Sequence, residues 1–379
     1  MNSYESPTLQ ALGVRPLINC KGTYTVIGGS LMLPEVKQAM LEASLRFVVL
    51  DELMDAVGRR LSELTHAEWG IVTSGCAAAL ALGTMACITR GDATLAASLP
   101  DAGAGYEVII PHHSRMEYEP LVRMPGARIV DVSTPEELRA ALNPRTALVL
   151  VMSGPRAAGG PLSIGEICRI AGEKEIPVLV DAAAETLTVP NVHLARGASL
   201  VAYSGGKILR GPQSAGLLLG RKDLVQAAWQ NSSPHDGLGR GFKCGKEEIL
   251  GMLAAVEMWF RRDHDAEWRQ WQTWLDQIAA EVRRIAGVST EILLPEDLSN
   301  YSPRLKISWD PALLGVSGDG LAEALFAGEP RIALNGSSRD SIVIMPYMMS
   351  EGEAEVVAAA ITRAFSGIPQ KARAQHPAP

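Results

Sequence analysis

Two polar residues close apolar stretches of this chain at a spacing that chemistry can use. Val180-Asp181-Ala182-Ala183 ends one Val/Leu-rich run, and Tyr203-Ser204-Gly205-Gly206-Lys207 ends the next. An aspartate at the C-terminal end of one strand and a lysine just past the following strand put a carboxylate and a primary amine at the same end of a sheet. A lysine amine can anchor a carbonyl cofactor and carry protons. A carboxylate can keep a ring nitrogen protonated, so that the ring draws electrons from a bound substrate. That pair is what pyridoxal 5′-phosphate (PLP) needs, with Lys207 as anchor and base and Asp181 as partner of the pyridine nitrogen. Ser204 offers a hydroxyl to the cofactor phosphate, and glycines 205 and 206 permit close backbone approach. Taken singly, a lysine in a Gly-rich turn or an aspartate at a helix start is ordinary; their order and spacing carry the reading.

Two further segments fit the same chemistry. Thr73-Ser74-Gly75-Cys76 stands between a strand-like run and an Ala-rich helix. A helix N-terminus presents free N–H groups and a positive dipole end, a natural seat for a phosphate. Ser74, Gly75 and Cys76 are therefore candidate phosphate-binding residues, although an ordinary capped turn has the same composition. Ile110-Pro111-His112-His113-Ser114-Arg115 ends another strand. His113 is the candidate to stack on the pyridine ring, with His112 beside it, and Arg115 is a candidate for a substrate anion.

Seven runs are strand candidates: Gly70–Ser74, Glu107–Pro111, Ala127–Val132, Thr146–Ser153, Pro177–Ala183, Leu200–Gly205 and Ala215–Gly220. Several are continuous Val/Ile/Leu, the pattern of parallel strands buried on both faces. The last two are joined by a short Gly-rich segment, which predicts an antiparallel or edge strand at the end of an otherwise parallel sheet. Helices are expected from Pro34, from Asp51, over Cys76–Thr89, and over Ile164–Lys174, where Ser163 and Glu166 form a capping-box pattern. A single long helical pattern runs from Lys246 to about Ala286. Beyond it, strands at Arg304–Asp310, Arg331–Asn335 and Ser341–Pro346, with helices at Gly320–Ala327 and Gly352–Phe365, predict a small α+β domain. The expected division is an N-terminal segment 1–20, a large domain 21–260, a small domain 261–368 and a disordered tail 369–379.

Composition limits the function classes. With 379 residues, 47% of them hydrophobic, the chain can bury a large core, and a net charge of −7 argues against a general nucleic-acid binder. The 5 cysteines are scattered without metal-ligand spacing. They read as reduced thiols of a cytoplasmic protein. No signal peptide and no membrane span is expected, and no metal.

The motifs resemble a known group. Ser204-Gly-Gly-Lys207-Ile-Leu-Arg-Gly-Pro-Gln213, followed by Ala215–Gly220 and Arg221-Lys222, is similar to selenocysteine synthase (seryl-tRNA selenium transferase). The bacterial relatives known as D-glucosaminate-6-phosphate ammonia-lyases are a closer match. The shared features are Ile18-Asn19-Cys20-Lys21-Gly22-Thr23 through Gly28-Gly29-Ser30, the Val72–Gly75 turn, and Lys243-Cys244-Gly245-Lys246-Glu247-Glu248. The resemblance spans roughly residues 14–360. It implies a fold type I PLP-dependent transferase architecture (aminotransferase-like, α/β), a homodimer or higher oligomer with a shared site, and Arg304 as a holder of the substrate carboxylate. Lys21–Ser30 and Lys243–Lys246 are then expected to approach the partner's pocket. Gly206 replaces the family's aspartate, and the chain begins almost at the catalytic core, so tRNA-linked seryl chemistry is not expected. Pro155-Arg156-Ala157 stands where a Gly-rich loop would, which suggests a pocket wall of its own.

The function expected on these grounds is a PLP-dependent lyase. It acts on an amino acid or amino sugar acid by α-proton abstraction and β-elimination, releasing ammonia and a 2-keto acid. The alternatives are a PLP-dependent racemase, an aldolase, a selenium or sulfur transferase, and, in another class, a non-catalytic PLP-fold scaffold or regulator.

Overall fold

The computed structural model describes residues 7–101, 103 and 105–366; the expected disordered tail and the start of the N-terminal segment lie outside them. The chain divides into two compact units. One comprises 25–262 with 296–301, and the other 7–24, 263–295 and 302–366. Residues 7–20 thus belong with the C-terminal portion of the chain.

The larger unit is built on a seven-stranded sheet. Its strands are β1 (Trp69–Thr73), β2 (Glu107–Pro111), β3 (Arg128–Val132), β4 (Thr146–Met152), β5 (Val178–Asp181), β6 (Leu200–Ser204) and β7 (Gly216–Gly220). Their spatial order is β1-β7-β6-β5-β4-β2-β3. The strands are mutually parallel except β7, which runs antiparallel to both of its neighbours. The antiparallel strand is as expected, but it lies inside the sheet, and β1 takes the edge. Short Gly-rich connections let β7 turn back beside β6, and β1 then pairs with its other side. Every residue of β1, β2 and β7 is buried, so these runs are largely apolar, and Glu107 at the start of β2 is paired with Arg128 and Arg145.

Helices α1 (Pro34–Ser44), α2 (Leu50–Thr65), α3 (Cys76–Thr89) and α4 (Ile164–Gly172) follow the expected starts. Helix α3 is apolar all round and buried along its length, with Gly83 facing Leu179 of β5 closely enough that a Cβ would stand 3.1 Å from Leu179 Cδ2. Ser163 Oγ accepts from the Glu166 N–H at 3.3 Å. The Glu166 carboxylate instead pairs with Arg169, so only half of the capping box forms.

The expected long helix is two helices, α5 (Lys246–Trp259) and α6 (His264–Val282). Asp263 starts the second by accepting from the Ala266 N–H at 2.8 Å. The break falls where the chain passes from one unit to the other.

The smaller unit holds an antiparallel four-stranded sheet, in the order Gly336–Ser337, Ser341–Ile344, Arg304–Trp309, Val288–Leu293. Leu17–Cys20 pairs in parallel with Arg331–Leu334. Leu275, Ile278 and Val282 of α6 and Val357 and Ile361 of the helix Glu353–Ser366 form its apolar core. Neither Leu17–Cys20 nor Val288–Leu293 is evident as a strand from the sequence.

Candidate active site

The register of the sheet brings the expected residues together. Thr73 of β1 pairs with Gly216 of β7, and Gly216 pairs with Ser204 of β6. One step along, Ala202 of β6 pairs with Asp181 of β5, and Asp181 pairs with Met152 of β4. The turn 74–76, Asp181 and the segment Ser204–Lys207 therefore emerge side by side at the C-terminal end of the parallel strands, where open α/β sheets place their ligands.

Asp181 is 6% exposed. Its Oδ1 accepts from the Ala183 N–H at 3.0 Å and from the Cys76 thiol at 3.5 Å. Burial holds its pKa above the ordinary aspartate value; the Ala183 N–H, the Lys207 charge and the Cys76 thiol oppose that shift, and Glu185 adds to it. The same Lys207 charge acts on Cys76, so amine, carboxylate and thiol share one electrostatic neighbourhood. Lys207 is half-buried.

The turn before α3 has the features of an anion cradle. Gly75 has φ +89°, a left-side conformation that side chains avoid, and a Cβ there would meet nothing within 4 Å. No side chain caps α3, so the amides of its first turn stay open. On the lysine side, the limit at Gly206 is space: a Cβ would lie 2.6 Å from Gln213 Cα. Ser204 sits half-buried at the end of β6, with its N–H donating to Ala183 O at 3.3 Å.

His113 follows β2 in a single 3-10 turn. Its Nε2 lies 3.1 Å from Leu162 O and its Nδ1 3.0 Å from Ser114 Oγ. A carbonyl only accepts, so Nε2 carries the proton and Nδ1 accepts from the serine. His112 is exposed and pairs with Asp131 at 3.2 Å. Arg115 is bound by Glu119 and, at 2.7 Å, by Asp131, and Glu119 also holds Arg123. These contacts give Arg115 a structural task, with three of its five N–H groups on carboxylates. Arg304 belongs to the smaller unit, where it opens its strand opposite Leu293.

Three features escape the sequence reading. Cys76 turns its side chain onto Asp181, 105 residues away. Glu185 and His193 form a buried pair at 2.5 Å, and Asn191 donates to Tyr203 Oη at 2.6 Å beside it. Ser30, 8% exposed, places its N–H on Gly206 O at 3.0 Å while its Oγ has no partner. The resemblance marks the Gly28-Gly29-Ser30 run, but nothing in the sequence shows that Ser30 meets Gly206. Among the described residues no group of metal-ligating side chains forms, and no helix is long and apolar enough to cross a membrane.

A buried carboxylate, a nearby lysine amine and an uncapped helix end behind a glycine suit PLP, and they define a fold type I PLP-dependent enzyme. The aminotransferase class-V family model matches residues 94–242. D-glucosaminate-6-phosphate ammonia lyase of Salmonella typhimurium is 31% identical over 92% of this chain and 95% of its own length. 5′-C-glycyluridine monooxygenase-decarboxylase of a Streptomyces species is 33% identical over 86% and 83%. An L-seryl-tRNA(Sec) selenium transferase of Rhizobium meliloti is 28% identical over 90% and 81%. A solved structure of D-glucosaminate-6-phosphate ammonia-lyase superposes with TM-score 0.83 and 28% identity, covering 96% of this chain and 99% of that one. The chain belongs to the selenocysteine synthase-like family of PLP-dependent enzymes that includes D-glucosaminate-6-phosphate ammonia lyase.

Proposed function

We propose that this enzyme is an ammonia-lyase acting on an α-amino acid or amino sugar acid that carries an oxygen on its β carbon. The observation that carries the reading is the buried Asp181 carboxylate within electrostatic reach of the Lys207 amine. The relatives' names support the substrate class, since glucosaminate and a seryl group both bear such an oxygen.

Lys207 would hold the cofactor, Asp181 its ring nitrogen, and Ser74, Ser204 and the first amides of α3 its phosphate. When bound, PLP supplies an electron sink that makes the substrate's α-proton removable. His113, anchored through both ring nitrogens, would offer a fixed face to the ring. Lys207 Nζ would take the α-proton and, as an ammonium, would return it to the leaving β oxygen. Burial keeps Asp181 poorly hydrated, so its charge is most stable facing a protonated ring nitrogen.

The test is release of ammonia and a 2-keto acid from a panel of D- and L-β-hydroxy amino acids, including D-glucosaminate 6-phosphate. Lys207→Ala should abolish turnover and the bound-cofactor absorbance together; a variant that kept full activity would end the proposal. The glycyluridine relative favours a second reading, oxidative decarboxylation. Oxygen uptake with carbon dioxide release, in place of ammonia and keto acid, would select it.

We also infer a homodimer or larger assembly in the cytoplasm. Val26, Leu31, Leu41, Leu45, Phe47 and Val49 are all exposed apolar residues in one stretch of the larger unit. Such a stretch is more than a monomer normally leaves in water. The five buried free thiols fit a reducing compartment. Light scattering on the purified protein at micromolar concentration checks the first: a monomer throughout would refute it.

A further inference from the structure

Cys76 is the first residue of α3, and its side chain reaches Asp181 at the end of β5. Its Sγ stands 3.5 Å from Asp181 Oδ1, and both residues are buried. Asp181 Oδ1 also takes the Ala183 N–H at 3.0 Å, while Oδ2 accepts nothing from the described residues. We propose that Cys76 is a positioning residue for Asp181: its thiol donates to Oδ1 and, with the Ala183 amide, fixes the carboxylate plane so that Oδ2 is left for the cofactor nitrogen. The inference rests on the PLP reading and goes beyond it, because it assigns the thiol to the electronics of the ring.

Three arguments support it. First, one N–H contact on Oδ1 allows the carboxylate to swing about its Cα–Cβ and Cβ–Cγ bonds, whereas two donors on the same oxygen from different elements hold it in one orientation. Second, the position of the thiol is set by the sheet. A Cβ on Gly216 of β7 would lie 2.5 Å from Gly75 C and 2.6 Å from Cys76 N, so the 75–76 turn is seated against β7 with no slack. One residue thereby links the helix end to the carboxylate at a fixed span. Third, the group stays a donor. Burial first, and then the Asp181 charge, push the thiol well above its ordinary pKa, so it is S–H throughout the working range and neither a nucleophile nor a redox centre.

The donor lowers the energy of the Asp181 anion relative to its acid. Without it, the proton shared between Asp181 and the ring nitrogen moves toward the carboxylate, the ring becomes less electron-poor, and the nitrogen bound at the lysine end keeps its own proton to higher pH. The test uses wild type, Cys76→Ala, Cys76→Val (no donor, volume kept) and Cys76→Ser (donor restored). Each is stripped, reloaded with PLP, and titrated by absorbance across pH. Ala and Val should still load cofactor, with a dissociation constant raised about two- to tenfold, the range expected for one net hydrogen bond. Their absorbance midpoint should move to higher pH, and Ser should recover part of both changes. If Ala does not fold by circular dichroism, Val carries the same comparison. Ala and Val proteins that load and titrate as wild type does overturn the positioning role alone. A wild-type protein that takes up no PLP overturns the cofactor reading and this inference with it.

Discussion

Gly75→Ala separates the backbone of the cradle from its proposed ligand. Gly75 has φ +89° and ψ 163°, a region populated almost only by glycine. Holding alanine there costs about 1–3 kcal/mol. The new methyl group adds no overlap, since nothing lies within 4 Å of it. For a chain of 379 residues each kcal/mol moves the melting temperature by only about 1.3 °C, so the apo-protein should melt roughly 1–4 °C lower. The same methyl stands in the space in front of the α3 amides where the phosphate is proposed to sit. PLP affinity should therefore fall by more than tenfold, about 1.4 kcal/mol. Differential scanning fluorimetry of apo-protein reads the first effect, and a fluorescence titration with PLP reads the second. A lower melting temperature with unchanged PLP affinity would refute the placement of the phosphate. An unchanged melting temperature would refute the strain argument itself.

Asp181→Asn should raise the apo-protein's melting temperature at pH 7 while removing activity. The folded protein holds the Asp181 proton more tightly than the unfolded chain does, so stability falls as pH rises from the ordinary value of 3.8 through the raised one. Asparagine removes that penalty, and below pH 3.8 the two proteins should melt alike. Lower stability of the variant at pH 7 would contradict the burial argument. Glu107, 2% exposed, is held at about 2, chiefly by the Asn143 hydrogen bond and then by Arg128 and Arg145. That stability is complete above the ordinary 4.5 and is lost as pH falls through about 2. Glu107→Gln should cost about 2–3 kcal/mol at neutral pH, the arginines being partly solvated, and urea denaturation at pH 7 measures it.

Much of this molecule is local in origin. Buried parallel strands need apolar side chains on both faces, so several of the seven sheet strands stand out as continuous Val/Ile/Leu runs, and all seven have ends correct to a residue or two. Lys207 and Asp181 stand out as candidates for another reason: their order and spacing, at the ends of successive apolar runs, put an amine and a carboxylate at one end of the sheet. The Ser163 cap is legible because its hydrogen bond spans only three residues. Other features depend on partners far along the chain. Val288–Leu293 is only half-buried and mixes Ser, Thr and Glu with its apolar residues, so only its pairing with Arg304–Trp309 makes it a strand. Leu17–Cys20 pairs with residues more than three hundred positions away. The antiparallel β7 settles between β1 and β6 because both lend it hydrogen bonds there, a choice that no local pattern records.

The same division holds within the site. Residue type and spacing marked Lys207, Asp181 and the turn before α3 as candidates, because each proposed role requires one kind of side chain at one kind of strand terminus. Tertiary structure decided what the neighbours do. Arg115 is occupied by Glu119 and Asp131, and Cys76 is turned onto Asp181. A side chain's partner depends on which elements the fold brings within a few ångströms, and that distance is set by the packing of the sheet, not by separation along the chain.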